Sequence, residues 1–283
     1  MSSKHTIGLH LRVKDTLANV VAEANEFGLS TFQFFLIRQK ATTHITLNAK
    51  DKEAFLAARP NFGPLFVHSS YWINPATCNK ETFAFSKMLL KKELRMAATL
   101  ELDYLVLHAG SARGYLSSPS DPQSKKAGIA TLAKMLNSLL KQERQVKILL
   151  ENSAHGKKTI GNDLEDFVLL KNELDFPERI GFCFDTAHAF SYGYNLEPVD
   201  ELVNIIDRTM GLENLKVIHF NDTLDTHGSM QDRHAFPGQG TIGKEVLQKV
   251  LSHPKLAPIP KIIEGPVTSK NTTKTVLDEV LRW

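Results

Sequence analysis

Nine side chains of metal-ligand type sit in short apolar settings along the chain. His68 lies in FVHSS, His108 in VLHAG, Glu151 in LLENS, Asp185 in CFDTAH, His219 in VIHFND and Glu264 in IIEGP; His188 closes DTAH, and Asp232 and His234 share QDRH. A single histidine or acid ending an apolar run is most often a hydrogen-bonded structural residue. A set is different, because several charges buried together cost several kcal/mol each unless partners or metals compensate. Five histidines and four carboxylates without a cysteine exceed the needs of one tetrahedral ion and suit two or three zinc-like metals. Metals about 3.5–4 Å apart activate water and hold both oxygens of a phosphodiester displacement, so the set points to phosphoryl transfer.

Such chemistry requires elements that bring the nine together. Eight β-type apolar runs alternate with longer helical segments: Ile7 to Leu11, Thr31 to Ile37, Pro64 to Ser69, Tyr104 to Ala109, Val146 to Asn152, Ile180 to Thr186, Leu215 to Asn221 and Lys261 to Gly265. YLVLHAG, VKILLEN and IGFCFDT are continuously apolar, as strands buried on both faces must be. Asp15 to Phe27 has helical spacing with Gly28 as a C-terminal stop, and Asp121 to Arg144 has Pro122 as a helix starter. Eight βα repeats predict an α/β fold, a single (β/α)8 TIM barrel, with an open doubly wound sheet as the rival. In a closed barrel the six strand-end ligands converge on the C-terminal face, where barrel enzymes build their sites. The stretch Asp222 to Gly240 is long for a βα loop, and such loops are usually functional.

The 283 residues, 42% hydrophobic and 23% charged, can bury a large core. Ser117 to Ser124, the nearest approach to a linker, falls inside one βα unit, so residues 1–283 read as one domain. A formal charge of +3 falls well short of the basic stripe of a protein held to nucleic acid by charge alone. Two cysteines, Cys78 and Cys183, make a disulfide framework improbable, and the polar N-terminus predicts a cytoplasmic protein without a membrane span. Gly238 to Gly243 matches G-x-G-x-x-G but follows the long loop instead of a strand, and reads as a flexible loop ending at a helix start. Lys125 and Lys126 read as solvated charges, as do Lys157 and Lys158, which could also touch phosphate. His5, His44, His227 and His253 read as surface or loop residues.

HSSYWIN, LHAGS, ENSAHG, GFCFDTAHAFSYGYN, HFNDT, DRHAFPGQGTIG and IEGP, in this order, resemble the signature segments of the endonuclease IV family of apurinic/apyrimidinic endonucleases. The resemblance runs from Ile7 to Glu264 and implies a xylose-isomerase-like barrel with three zinc ions. It puts His68, His108 and Glu151 on the first; Glu151 as a bridge, with Asp185, His219 and Glu264, on the second; and His188, Asp232 and His234 on the third. Glu151 would thereby hold the nucleophilic hydroxide. The reaction implied is zinc-dependent hydrolysis 5′ to abasic sites in double-stranded DNA, the deoxyribonuclease IV type of DNA repair, with 3′-end cleaning as a further activity. No obligate protein partner is implied, and a monomer is expected.

Tyr71 and Trp72, directly after His68, stand where the family places a Tyr and an apolar residue and are expected to wedge into the opened duplex. Other segments depart from the pattern: Ala187 stands where many members have Cys, Ala109 where Pro is usual, and His155, Lys157 and Lys158 replace a glycine-rich segment. The loop LIRQKATT lacks the usual arrangement, leaving Arg38 and Lys40 as the candidate DNA-probing residues. Two alternatives stand beside this reading: a metal-dependent sugar isomerase or epimerase of the same barrel type, and a non-catalytic DNA-binding or metal-binding module.

Overall fold

The computed structural model describes residues 5–14, 16–37, 44–114, 122–156 and 158–283. Eight parallel strands close a barrel: β1 (Ile7–Leu11), β2 (Phe32–Phe35), β3 (Phe66–His68), β4 (Tyr104–His108), β5 (Lys147–Glu151), β6 (Ile180–Asp185), β7 (Leu215–His219) and β10 (Lys261–Ile263). Each pairs with its sequence neighbours, and β1 closes the ring against β10, with Leu9 opposite Ile263. The doubly wound alternative is thereby excluded. Two short strands, β8 (Asp222–Thr223) and β9 (His234–Ala235), form a separate antiparallel hairpin in the long loop after β7.

The helices follow the βα alternation: α1 (Leu17–Phe27), α2 (Ala49–Ala58), α3 (Lys80–Thr99), α4 (Pro122–Leu140), α5 (Glu165–Lys171), α6 (Thr186–Tyr192), α7 (Val199–Thr209), α8 (Lys244–Ser252) and α9 (Lys270–Val280). Thr16 caps α1 by accepting from Asn19 N, and Gly28 ends it in the left-handed region at φ 67°. The α4 helix stops at Leu140, short of Arg144, because the N–H of Gln142 turns back to Leu139 O. Among the described residues no helix is long and apolar enough to cross a membrane.

Two apolar clusters divide the core. The larger fills the space between strands and helices, whereas Phe66, Val106, Leu149, Cys183, Val217 and Ile262 pack together inside the barrel. Because side chains alternate across a strand, the residue two positions further along faces the same interior. Those residues are His68, His108, Glu151, Asp185, His219 and Glu264. The pleat that builds the barrel's apolar floor thus also builds its polar top.

Candidate metal centre

The structure brings the nine side chains together at the C-terminal mouth of the barrel. Ligand atoms of His68, His108 and Glu151 cluster within 4.8 Å of one another, as do those of Glu151, Asp185, His219 and Glu264, and those of Asp185, His188 and His234. Asp232 joins the last group, with Oδ2 3.3 Å from His188 Nε2 and Oδ1 3.1 Å from His234 Nε2. Glu151 is common to two groups, and its oxygens divide the work. Oε2 faces His68 at 3.1 Å and His108 at 3.2 Å, while Oε1 faces His219 at 2.8 Å.

Local structure fixes these positions. Asp185 ends β6 and caps α6, its Oδ1 accepting from His188 N at 2.8 Å, so one carboxylate sets the turn that delivers His188. Asp232 and His234 are held over the mouth by the β8–β9 hairpin, where Thr223 pairs with His234. Under the hairpin, the buried Asp222 carboxylate accepts from the N–H groups of Gly238, Gly240, Ile242 and Gly243 at 2.9–3.2 Å. The G-x-G-x-x-G segment therefore cradles a side chain of its own protein, and it is a fastened loop instead of a flexible one. A Cβ on Gly240 would come within 2.3 Å of Thr223 O, which accounts for the glycine there.

Imidazole tautomers provide the chemical test of whether a metal fits. His68 Nδ1 donates to Ser69 O at 2.8 Å, His188 Nδ1 to Asn152 O at 2.8 Å, and His219 Nε2 to Gln33 Oε1 at 3.0 Å. A neutral imidazole anchored through one N–H turns a lone pair outward from the other nitrogen, the arrangement that orients metal-ligating histidines. Here the other nitrogens face carboxylates: His68 at Glu151, His188 at Asp232, and His219 at Glu151 and, 3.2 Å away, Glu264. Each such contact needs a positive charge, supplied by a second proton on the imidazole or by a metal ion in its place.

Four of the five separations agree; His219–Glu151, at 2.8 Å, has the length of a charge-assisted hydrogen bond. Values of 3.1–3.3 Å for His68–Glu151, His108–Glu151, His188–Asp232 and His219–Glu264 are long for charge-assisted hydrogen bonds of about 2.7–2.9 Å. They approach the roughly 3.3–3.6 Å between ligand atoms on a tetrahedral ion with bonds of about 2.0–2.2 Å. His234 Nε2 is buried without a well-aligned hydrogen-bond partner. The all-nitrogen-and-oxygen donor set suits a zinc-like ion.

Protonation shows the same demand for positive charge. Burial would lower the imidazole of His219, but Glu264 and Glu151 outweigh it and lift it to about 9. His234 is likewise lifted to about 9 by Asp185 and Asp232 against its burial. Burial opposes ionisation of Glu151, yet His108 and His219 hold its carboxyl well below the usual carboxylate range. Cys183 lies beneath Glu151 and His219, and burial, with the nearby carboxylates, pushes its thiol up, leaving it a poor ligand beside the imidazoles.

Two residues complete the polar layer and escaped the sequence reading. His10 stands two positions after Gly8 in β1, and Gln33 two positions after Thr31, so every barrel strand carries one polar side chain to the same level. Gln33 links the layer: Nε2 donates to Glu264 Oε1 at 2.6 Å while Oε1 receives the His219 N–H. His10 Nδ1 lies 3.0 Å from the same Glu264 oxygen. A glutamine flanked by phenylalanines in FQFF was the available signal.

Around the mouth, Tyr71 and Trp72 are 68% and 54% exposed, so neither is a core residue. Tyr71 leans on the rings of Phe35, His68 and His108, with centroids 5.4–6.0 Å apart. Arg38, Lys40 and Lys157 lie outside the described residues. Lys125 is not simply solvated, since its Nζ is 2.6 Å from Asp166 and 2.7 Å from Asn162. His44, His227 and His253 lie outside the cluster, as does His5, which is buried and not on the surface.

A parallel barrel with its polar layer at the C-terminal mouth defines the class, and residues 21–283 match the family described as a xylose isomerase-like TIM barrel. Within that class the chain belongs to the endonuclease IV family. It is 35% identical over 283 residues to "Probable endonuclease 4" of Thermosipho africanus, covering 98% of this chain and 97% of the relative. The corresponding protein of Heliobacterium modesticaldum is 34% identical over 263 residues, 92% of each chain. Endonuclease IV from Thermus thermophilus superposes with a TM-score of 0.83 at 30% identity, over 98% of this chain and 97% of that one. A D-tagatose 3-epimerase-like protein shares the fold, with a TM-score of 0.71 at 16% identity over 98% of this chain and 96% of that one.

Proposed function

We propose that this chain is a zinc-dependent DNA repair endonuclease that hydrolyses the phosphodiester 5′ to abasic sites in duplex DNA, leaving a 3′-hydroxyl and a 5′-deoxyribose phosphate. One observation carries the reading: nine ligand-type side chains meet at the barrel mouth with imidazoles anchored so that their free nitrogens face carboxylates. Zinc-like ions bound in these groups would supply Lewis acidity toward phosphate oxygens and lower the pKa of a water. His68, His108 and Glu151 would hold the first, Glu151, Asp185, His219 and Glu264 the second, and His188, Asp232 and His234 the third.

The chain's own contribution is placement. Glu151 presents its two oxygens to two groups at once and fixes their relation. Tyr71, His108, Ser153 and Asp232 line a cavity of about 470 Å³, in the size range of small-molecule sites and open to an extruded sugar phosphate. Tyr71, on its lining, and the adjacent exposed Trp72 would fill the stack that the extruded residue leaves, and Arg38 and Lys40 are the candidates for probing the duplex. The separate group of His188, Asp232 and His234 favours this reading over a sugar isomerase, whose chemistry needs one or two divalent ions.

The test is incision of an end-labelled abasic duplex by the purified chain, with metal content measured on the same preparation. Cleavage 5′ to the abasic site, lost on chelation and restored by zinc, is expected. A zinc-loaded chain that leaves the abasic duplex intact but interconverts ketoses would establish the isomerase reading instead.

A further inference from the structure

Arg12 leaves the end of β1 at the lip of the barrel mouth, two positions beyond His10, which β1 contributes to the polar layer. The strand beneath it is held on both sides, Leu9 pairing with Ile263 and with Phe32, so the loop that carries Arg12 and Lys14 starts from a fixed point. Both side chains are exposed, and among the described residues neither has an ion pair or a side-chain hydrogen bond. An exposed cation is ordinarily just solvated, but this pair stands on a path that leads out of the metal centre.

Two cavities meet at Arg12. The inner one, about 150 Å³, is also lined by His10, Tyr71, His234 and Glu264, so it opens on the polar layer. The outer one, about 200 Å³, continues to Lys14, Glu23 and Lys270, and His10, Arg12 and Gly265 line both. Along the outer wall the charges cancel, since Lys270 pairs with Glu26 and also feels Glu23. Glu264 is engaged by Gln33 and His219. Arg12 and Lys14 are therefore the uncompensated formal charges among the described lining residues, one beside the metal layer and one farther out.

We propose that Arg12 and Lys14 bind two successive backbone phosphates of the DNA strand being cut, Arg12 the one nearer the metal centre and Lys14 the one beyond. This rests on the DNA-cleaving reading above. The guanidinium offers two parallel N–H donors to phosphate oxygens, whereas the Lys14 ammonium acts as a point charge. With a formal charge of only +3, the chain holds a polyanion by where its cations stand more than by their number. Each phosphate so neutralised releases counterions, which gives the contact a signature: the logarithm of affinity falls with that of salt concentration by about 0.9 per phosphate.

The experiment is single-turnover incision of an end-labelled abasic duplex by the zinc-loaded chain, with the half-saturating enzyme concentration measured from about 50 to 200 mM salt. Wild type is compared with Arg12→Ala, Arg12→Lys, the double variant Arg12→Ala with Lys14→Ala, and Lys255→Ala, which removes an exposed lysine ahead of β10 at the opposite end of the barrel. Unfolding curves check that all fold alike. Arg12→Ala should raise half-saturation roughly tenfold and reduce the salt slope by about 0.9, and the double variant should reduce it by about 1.8. The loss should be the same factor on duplexes of unrelated sequence, because phosphate contacts read no base. Arg12→Lys keeps the charge without the fork and should keep the slope, and Lys255→Ala should match wild type. A wild-type slope in Arg12→Ala overturns the inference, as does an equal drop in Lys255→Ala, which would reduce the effect to net charge. A wild-type chain that leaves the abasic duplex intact overturns the cleavage reading itself, and is thereby told apart from the failure of Arg12 and Lys14 alone.

Discussion

Glu93 on α3 is fully buried beneath the loop that carries Tyr71 and Trp72. Its Oε1 accepts from Ser70 N at 3.1 Å, and its Oε2 has no hydrogen-bond partner. Burial pushes its carboxyl from the ordinary 4.5 up to about 8, overcoming the opposite pull of the Ser70 N–H. Across that interval the folded chain keeps a proton that the unfolded chain releases. Stability is therefore undiminished below pH 4.5 and is lost as pH rises toward 8. At about 1.36 kcal/mol for each pH unit, the full loss is on the order of 5 kcal/mol. Glu93→Gln keeps an oxygen for Ser70 N and has no proton to lose, so it should match wild type near pH 4.5 and exceed it by up to about 5 kcal/mol at pH 8.5. Urea unfolding of both proteins from pH 4.5 to 9 measures the difference directly. Parallel stability curves would show that Glu93 is not held neutral, and the argument from burial would be wrong.

Glu151→Gln should abolish incision and lower metal content, since it removes the charge shared by two groups; near-normal rate in a fully loaded variant would strip Glu151 of that role. Asp232→Ala or His234→Ala should each cut turnover roughly 100-fold or more with much smaller loss of DNA binding, and unchanged single-turnover rates would make QDRH an ordinary polar loop. Replacing Tyr71 and Trp72 together by Ala should weaken binding to abasic duplex by roughly 1–3 kcal/mol for each lost stacking contact. Unfolding curves check the cause, because a large loss of stability would make the rings packing residues despite their exposure. Asp222→Ala strands four loop N–H groups and should cost about 3–5 kcal/mol of folding stability; a cost below about 1 kcal/mol would mean that water replaces the carboxylate.

The barrel was readable because parallel strands buried on both faces leave uninterrupted apolar runs, and the position of each ligand at the end of such a run gave its height in the barrel. His10 and Gln33 occupy the same layer but were not picked out. IGLHLR mixes the histidine into a strand that alternates less clearly, and a glutamine is not a metal ligand by type, although this one orients His219. The role of Asp222 was hidden for another reason. Its partners are backbone N–H groups 16–21 residues away, and no side-chain pattern announces them. Lys125 looked solvated beside Lys126 because its partners, Asn162 and Asp166, lie on a different βα unit.

The β8–β9 hairpin rests on a ladder of two residue pairs, and His188 reaches it from α6, 46 positions earlier than His234. An ion gripped by His188 on one side and by Asp232 and His234 on the other would act as a reversible staple, closing a ring of chain as a disulfide does. Closing a ring of that length removes about 4 kcal/mol of conformational freedom from the unfolded chain in the loop-entropy account. With Cys78 and Cys183 the chain's only cysteines and both free, coordination would be this protein's way of tying distant segments together. A chelator that emptied that group would then also loosen the architecture, and the hairpin would be the first segment opened to a protease.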